Sequence, residues 1–326
     1  MTKRLLFLIA FFITNILNSD ACTIFSSKDK NGNVWTGNNE DGNFTLGTCI
    51  NIVAPDKNAF GYIYFTNSNN PKVFPQGGLN DAGLFYDANS VPKSKYKDYD
   101  LKKDFPNGIN EMMFEVLRKC QTVQEVFKLF KEYRLQGLEV SQFHFADKFG
   151  NYGIINSDSM WITKADYQIS TNYNLCHTNK DNAKCWRYPI AERILNAKEI
   201  GLETFKEICD STSQKKWTIY SNIQNLNTGD IWFYYAQNYS RPFKTNIKEL
   251  LKKGTNSFFL FEFFKDDPLV KQMIQAKKTE DQFSITIISL SSLLFLSIIY
   301  ILTIKRRLKK LKNIQTKDLT ADQNYR

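Results

Sequence analysis

The stretch Asp20-Ala21-Cys22-Thr23-Ile24-Phe25-Ser26-Ser27 joins a signal-peptide cleavage junction to a β-prone run. Upstream of it, Lys3 and Arg4 supply a basic start and Leu5 to Leu17 a mostly apolar run. Ser19 and Ala21 put small residues at the third and first positions before the cut, as a signal peptide over 1–21 requires. Cleavage after Ala21 leaves Cys22 with a free α-amine beside its own thiol. With an unperturbed pKa of roughly 8, that amine can serve as general base for the same residue's side chain, without a histidine. Two structural roles compete with a nucleophile: half of a disulfide, or a lipid-bearing cysteine. The second fits poorly, because Ser19 stands where a lipid-attachment signal has a leucine-like residue.

Downstream, two short β-prone runs, Thr23 to Ser27 and Val34 to Gly37, flank Asn31-Gly32. Asn-Gly favours a two-residue hairpin turn, because both central positions of a type I′ turn need φ > 0. Such a turn predicts that Lys30 faces Asn33 and Cys22 faces Asp41, with opposed Cβ atoms about 5 Å apart on one face. A carboxylate is thereby expected beside the cysteine, unless a bulge shifts the register.

At the other end, Phe283 to Ile304 is an uncharged, largely aliphatic stretch without a polar face. At ~1.5 Å per residue it is long enough for the ~30 Å hydrocarbon layer. Lys305, Arg306, Arg307, Lys309, Lys310 and Lys312 follow it directly, which predicts a cytoplasmic tail over 305–326 and an extracytoplasmic remainder. Gln275 to Asp281 is short, polar and charged, so 276–282 reads as a stalk and 22–275 as one large domain. The formal charge of +10 is concentrated in the two ends, which leave about +3 on the domain. Nucleic acid is not an implied partner; the basic tail is a topology signal and a contact for anionic lipid. The six cysteines, at 22, 49, 120, 176, 185 and 209, are scattered without a CxxC pair, so neither a metal site nor another cofactor is expected. Cys176 and Cys185 are the nearest pair, with no bridge implied by spacing alone.

Between the ends, strands are predicted at 60–65, 83–89, 141–146, 152–156, 168–172, 217–223 and 230–236. Helices are predicted at 111–120, at 123–133 behind a Thr122/Glu125 capping box, from Pro189 to 197, and at 202–209. Strands outnumber helices, and the helices fall in pairs between strand groups. That order suits an α+β fold in which helices cover stacked sheets.

Cys22-Thr23-Ile24-Phe25, with Gly37-Asn38-Asn39-Glu40-Asp41 at its spacing, resembles the linear-amide C–N hydrolases of the N-terminal nucleophile (Ntn) superfamily. These include choloylglycine hydrolases, penicillin V acylases and penicillin-related acyltransferases. Gln76-Gly77-Gly78-Leu79-Asn80-Asp81-Ala82-Gly83-Leu84, Ser170-Thr171-Asn172 and Trp186-Arg187-Tyr188 resemble further family segments in the same order. The resemblance spans about Cys22 to Arg241. It implies a four-layer αββα sandwich with Cys22 as nucleophile and, through its amine, general base. Asp41 would hold amine and thiol, Asn172 and the backbone near Asn89 would donate to the oxyanion, and Arg187 would organise charge around Cys22 and favour its thiolate. Asn38 and Asn39 would meet substrate. Asn38 stands where bile-salt and penicillin V relatives carry arginine, which puts their substrates in doubt here.

The expected activity is therefore hydrolysis of a small N-acyl amide by a single-pass membrane protein. Acyl transfer is a close variant, and a non-catalytic binding protein on the same scaffold is the alternative from another class. A papain-like hydrolase using His144 or His177 ranks last. The loops 67–76 and 91–105 are expected to rim the pocket. The sequence leaves the assembly state open, and the resemblance is compatible with a homo-oligomer.

Overall fold

In this computed structural model the described residues are 22–42, 46–68, 73–106, 109–175, 185–215 and 217–323. The signal segment 1–21, Cys176 and His177 lie outside them. The chain divides into two compact units, Met1–Lys265 and Asp266–Arg326.

The first unit opens with a hairpin of β1 (Thr23–Lys28) and β2 (Val34–Asp41). Its turn corrects the expected register. The Asp29 N–H donates to the Asn33 carbonyl at 2.9 Å, and the Gly32 N–H to the Asp29 carbonyl at 3.0 Å, so Lys30-Asn31-Gly32 forms a three-residue loop. Gly32 takes φ 84°, the left-handed position such a loop needs. The Asp29 carboxylate accepts from the Asn31 and Asn33 N–H groups at 2.9 and 2.8 Å, which favours this loop over a two-residue turn. Thr23 therefore pairs with Asn39 and Ile24 with Asn38, and Cys22 comes opposite Glu40 instead of Asp41. A one-residue slip exchanges the two faces of a strand.

Next come β3 (Cys49–Val53), β4 (Tyr62–Thr66), β5 (Gly77–Asn80) and β6 (Leu84–Ser90). After the short β7 (Lys103–Asp104) and β8 (Tyr133–Arg134) follow β9 (Ser141–Asp147), β10 (Tyr152–Ile155), β11 (Met160–Thr163) and β12 (Tyr167–Ser170). The last are β13 (Thr218–Asn225), β14 (Asp230–Tyr235), β15 (Phe243–Asn246) and β16 (Asn256–Phe259). Among the described residues they form a six-stranded sheet in the order β12-β1-β2-β13-β14-β15 and an eight-stranded sheet in the order β11-β10-β9-β6-β5-β4-β3-β16. The pairings within both are antiparallel. Every residue of β13 is buried, because it lies mid-sheet with a layer on each side.

Helices α1 (Ile109–Lys119) and α2 (Val123–Glu132) cover the larger sheet. Val123, Val126, Phe127 and Phe130 form the buried stripe of α2 and pack with Tyr86, Phe143 and Phe145. The expected capping box is present, with the Glu125 N–H on Thr122 Oγ1 at 3.3 Å and the Thr122 N–H on Glu125 Oε2 at 3.0 Å. On the smaller sheet, α3 (Arg187–Ala197) and α4 (Leu202–Thr212) bury Ile194, Leu195, Phe205 and Ile208 against Phe25, Ile223 and Trp232. The fold is thus α+β, a four-layer αββα sandwich, as the sequence leads one to expect. A short helix α5 (Ile247–Leu251) precedes β16.

Much of the space between the sheets is polar. Ser26 Oγ lies 2.8 Å from His144 Nε2, and His144 Nδ1 lies 3.0 Å from Ser170 Oγ. Asn38 Nδ2 donates to Asp87 Oδ2 at 2.5 Å, and all of these side chains are buried. Elsewhere the layer is aromatic, with the Phe65 ring 5.8 Å from Tyr220 and 5.9 Å from Phe233.

The second unit is dominated by α6 (Pro268–Gln323), which carries both the charged segment read as a stalk and the apolar run 283–304 as continuous helix. Its Pro268–Arg306 portion, with a mean hydropathy of 2.4 over its most apolar window, is long and apolar enough to cross a membrane.

Candidate active site

Cys22, immediately before β1, is buried, with its side chain on the cavity wall. Its Sγ donates to Glu40 Oε2 at 3.4 Å, the partner that the three-residue loop selects. Burial pushes the Cys22 thiol well up, and the charges of Glu40, Asp41 and Asp87 push the same way, against a hydrogen bond from the Asp41 backbone. The sulfur therefore rests as a thiol and needs a base to become a nucleophile.

Asp41 occupies the opposite face of β2, and its carboxylate is held from three sides. Arg187 Nη1 approaches Oδ2 at 3.3 Å, Gln214 Nε2 donates to it at 2.7 Å, and the Thr218 hydroxyl donates to Oδ1. The same guanidinium gives Nη1 to Thr23 Oγ1 at 3.0 Å and Nη2 to Asn172 Oδ1 at 2.6 Å. One arginine at the first turn of α3 thus ties together the end of β2, the residue after Cys22 and the segment after β12. Asn172 Nδ2 donates to the Ser90 carbonyl at 2.9 Å, and Asn89 Nδ2 donates to the Cys22 carbonyl at 3.1 Å. These two bonds fasten the end of β6 to the network.

A cavity of about 410 Å³ opens on this cluster. Cys22, Glu40, Asp41 and Asn89 lie at one part of its wall, while Phe74, Leu135, Val140 and Phe143 make an apolar part. The shape and lining suit an organic ligand with a mainly apolar portion.

Of the residues picked out from sequence, Cys22, Asp41 and Asn89 line this cavity. Arg187 joins Asp41 to Asn172 behind it. Asn172 is brought into the network, but its amide donor rests on Ser90 and it is absent from the cavity wall, which differs from the expected oxyanion role. Arg187 likewise acts on Asp41 and not directly on the sulfur, and Cys22 stays protonated. Asn38 and Asn39 do not line the cavity either. Asn38 shares the inter-sheet face with Glu40 but lies two residues deeper, on Asp87. Asn39 points to the helix side, where it donates to the Cys209 carbonyl at 2.9 Å and accepts from Ser221 Oγ at 2.6 Å. The loop 67–76 contributes Asn67, Phe74 and Gln76 to the wall as expected. The segment 91–105 contributes instead to a neighbouring hollow with Lys93, Lys95, Tyr96 and Tyr99.

Sequence reasoning missed Glu40, Asp87 and the segment from Leu135 to Ser141. Glu40 was within reach, since Asp29 and Asn33 around the turn carry the signal for the longer loop. Asp87 is held near its place by Gly77, where an added Cβ would lie 2.9 Å from the Asp87 carboxyl. Burial raises Asp87 to about 8. His144, locked between two serines, is lowered to about 3 by burial. Among the described residues Cys22, Cys49, Cys120, Cys185 and Cys209 are free thiols.

No family model and no curated protein matches the chain. Solved structures do. A variant of the conjugated bile acid hydrolase from Clostridium perfringens is similar over 73% of this chain and 96% of that one, with 13% identity and a TM-score of 0.53. The penicillin V acylase from Agrobacterium tumefaciens is similar over 72% of this chain and 90% of that one, with 14% identity and a TM-score of 0.54. This is an Ntn-hydrolase fold. In the Ntn-hydrolase sandwich seen here, β1 places Cys22 beside the cavity and α3 brings Arg187 to Asp41.

Proposed function

We propose that this chain is a membrane-anchored, extracytoplasmic cysteine amidase that hydrolyses the C–N bond of a linear, non-peptide N-acyl amide through a thioester on Cys22. The observation that carries the reading is the junction cysteine itself, immediately before strand β1, on the wall of a partly apolar cavity on an Ntn-hydrolase fold. Removal of residues 1–21 frees the α-amine, which takes the thiol proton as Sγ attacks the amide carbon. Asp41, clamped by Arg187, Gln214 and Thr218, fixes the strand end that carries this chemistry. Asn89 lies next to the reacting residue, and its backbone serves the oxyanion. Asn172 acts through Arg187 and Ser90. The amine product leaves, and water releases the acid. Acyl transfer replaces water by an amine at the last step.

The apolar part of α6 anchors the chain, and the basic run from Lys305 keeps the tail cytoplasmic. The two neighbours are named for a conjugated bile acid and for penicillin V; the buried Asn38–Asp87 pair favours a different substrate here.

Three measurements test the reading. The mature chain begins at Cys22, and any other amino terminus overturns it. A panel of N-acyl amides, including octanoyl amides, finds a substrate for the purified full chain in detergent. Cys22→Ser lowers that turnover by at least about 1000-fold with the fold intact. The non-catalytic reading, favoured by the raised Cys22 thiol, predicts instead no labelling of Cys22 by an electrophile and no substrate in the panel.

A further inference from the structure

We propose that Gln76 is a specificity-determining residue, which selects an amide carrying a hydrogen-bond donor, a hydroxyl or an N–H, on the portion seated in the apolar part of the cavity. The inference rests on the amidase reading above and narrows its substrate class. Its basis is the side-chain oxygen of Gln76, which is buried on a residue of the cavity wall and has no hydrogen-bond partner among the described residues. An acceptor stripped of water and left unpaired disfavours a purely apolar occupant and favours one that brings a donor.

Neighbouring strands fix where that oxygen acts. Gly77 pairs with Asp87 between β5 and β6, so Gln76, one residue earlier, comes alongside Ala88, and Ala88 pairs with Phe143 of β9. Gln76, Ala88 and Phe143 thus form a row across three strands on one face, and all three line the cavity. Adjacent members of such a row have Cβ atoms about 5 Å apart. The Phe74 ring packs 6.1 Å from Phe143, and Leu135 belongs to the same apolar cluster. The backbone that aims Gln76 is held on both sides. Its N–H donates to the Phe65 carbonyl at 3.0 Å, and the buried Tyr86 hydroxyl donates to the Pro75 carbonyl at 2.9 Å. A carbonyl oxygen is thereby set beside a hydrocarbon surface whose side chains, Phe74, Ala88, Leu135 and Phe143, offer it no donor. Asn89 Oδ1 is unpaired too, but its amide holds the Cys22 carbonyl at 3.1 Å. It therefore lies at the reacting end, where the scissile N–H and the α-amine freed by maturation are donors at hand. Asn67, Ser90 and Gln136 are exposed, and solvent serves them. The demand at Gln76 falls on the body of the substrate.

The test is a set of matched amides on the full processed chain in detergent. N-octanoyl-n-propylamide is the parent. Hydroxyls are placed along the octanoyl chain in one series and at the end of the propylamine in the other, and each alcohol is matched by its methyl ether, which has no donor. At least one alcohol is expected to exceed both its ether and the parent by about tenfold or more in kcat/KM, as one hydrogen bond to an otherwise unpaired buried acceptor allows. The series in which it falls tells whether the acyl or the amine half lies on Gln76. Gln76→Met, similar in length without the amide, is expected to bring that ratio down to within about threefold. Alcohols no better than their ethers and the parent, or a preference that survives Gln76→Met, overturn the proposal. Should Gln76→Met fail to fold, the wild-type ratios decide alone. Binding of the same pairs to Cys22→Ala needs no chemistry and separates this inference from the reading beneath it. Turnover without an alcohol preference sinks the role of Gln76 alone. An alcohol preference in binding, with no turnover by the wild type, sinks the amidase reading alone. Neither turnover nor binding of any member sinks both.

Discussion

Arg187 and Asp41 form an ion pair at 3.3 Å with side chains only 5% and 2% exposed. Its surroundings satisfy both partners: the guanidinium also meets Thr23 and Asn172, and the carboxylate also meets Gln214 and Thr218. Breaking such a pair from one side leaves a buried charge without its counterpart, which costs about 3–5 kcal/mol. Arg187→Met is therefore expected to destabilise the first unit by about that much, and Asp41→Asn by a similar amount. The double variant should cost less than the two singles added, because it removes both charges together. Tryptophan fluorescence reads this cleanly, since Trp35, Trp161, Trp186, Trp217 and Trp232 all precede Asp266. Additive losses would mean the two side chains do not act as a pair.

Gly77 and Asp87 predict a second coupling. A Cβ at position 77 would sit 2.9 Å from Asp87 Cγ and Oδ2, so Gly77→Ala forces the carboxyl out of place at a cost of about 1–3 kcal/mol. In an Asp87→Ala background that crowding is gone, and the same substitution should cost little. Denaturant midpoints of the four variants check it; an undiminished cost would point to backbone strain as the cause.

His144 and Asp87 predict opposite pH dependences that cancel. His144 is lowered from 6.5 to about 3 by burial, so below 6.5 the unfolded chain binds a proton that the folded chain refuses. Its contribution is complete above 6.5 and is lost as pH falls. Asp87 is raised from 3.8 to about 8 by burial, so between these values the folded chain holds a proton that the unfolded chain has lost. Its contribution is complete below 3.8 and is lost as pH rises. Each has a slope of about tenfold in the folding constant per pH unit, with opposite sign between 3.8 and 6.5. His144→Gln should therefore gain stability as pH falls through that window, and Asp87→Asn should lose it. Parallel pH profiles for both variants would refute the assignment.

The apolar part of α6 predicts membrane retention. The full chain should stay with membranes through alkaline carbonate extraction, whereas a chain ending at Lys265 should be released. Release of the full chain would exclude a spanning anchor.

Long-range order was legible in the sequence where local chemistry fixes it. The helix α2 with its Thr122/Glu125 cap and the strands β9 and β10 follow from spacing and capping residues. Seven strands escaped: β3, β5, β7, β8, β11, β15 and β16, each two to five residues long. Of the residues singled out in the sequence, Cys22, Asp41, Asn172 and Arg187 lie together around the Arg187 guanidinium. The facing of Cys22 was not legible. The partner of Cys22 depended on whether Asn31-Gly32 made a two- or three-residue loop, and Asp29 decided that through bonds to Asn31 and Asn33. Asp87 could not be seen at all, because its neighbourhood is assembled from two different sheets.

The length of the Lys30-Asn31-Gly32 loop has an evolutionary corollary. Inserting or deleting one residue there would slip β1 against β2 by one position and take Glu40 away from the Cys22 sulfur. Point changes in this loop can drift freely around Gly32, but indels cannot, so descendants of this gene should vary in what the turn is made of and not in how many residues it has.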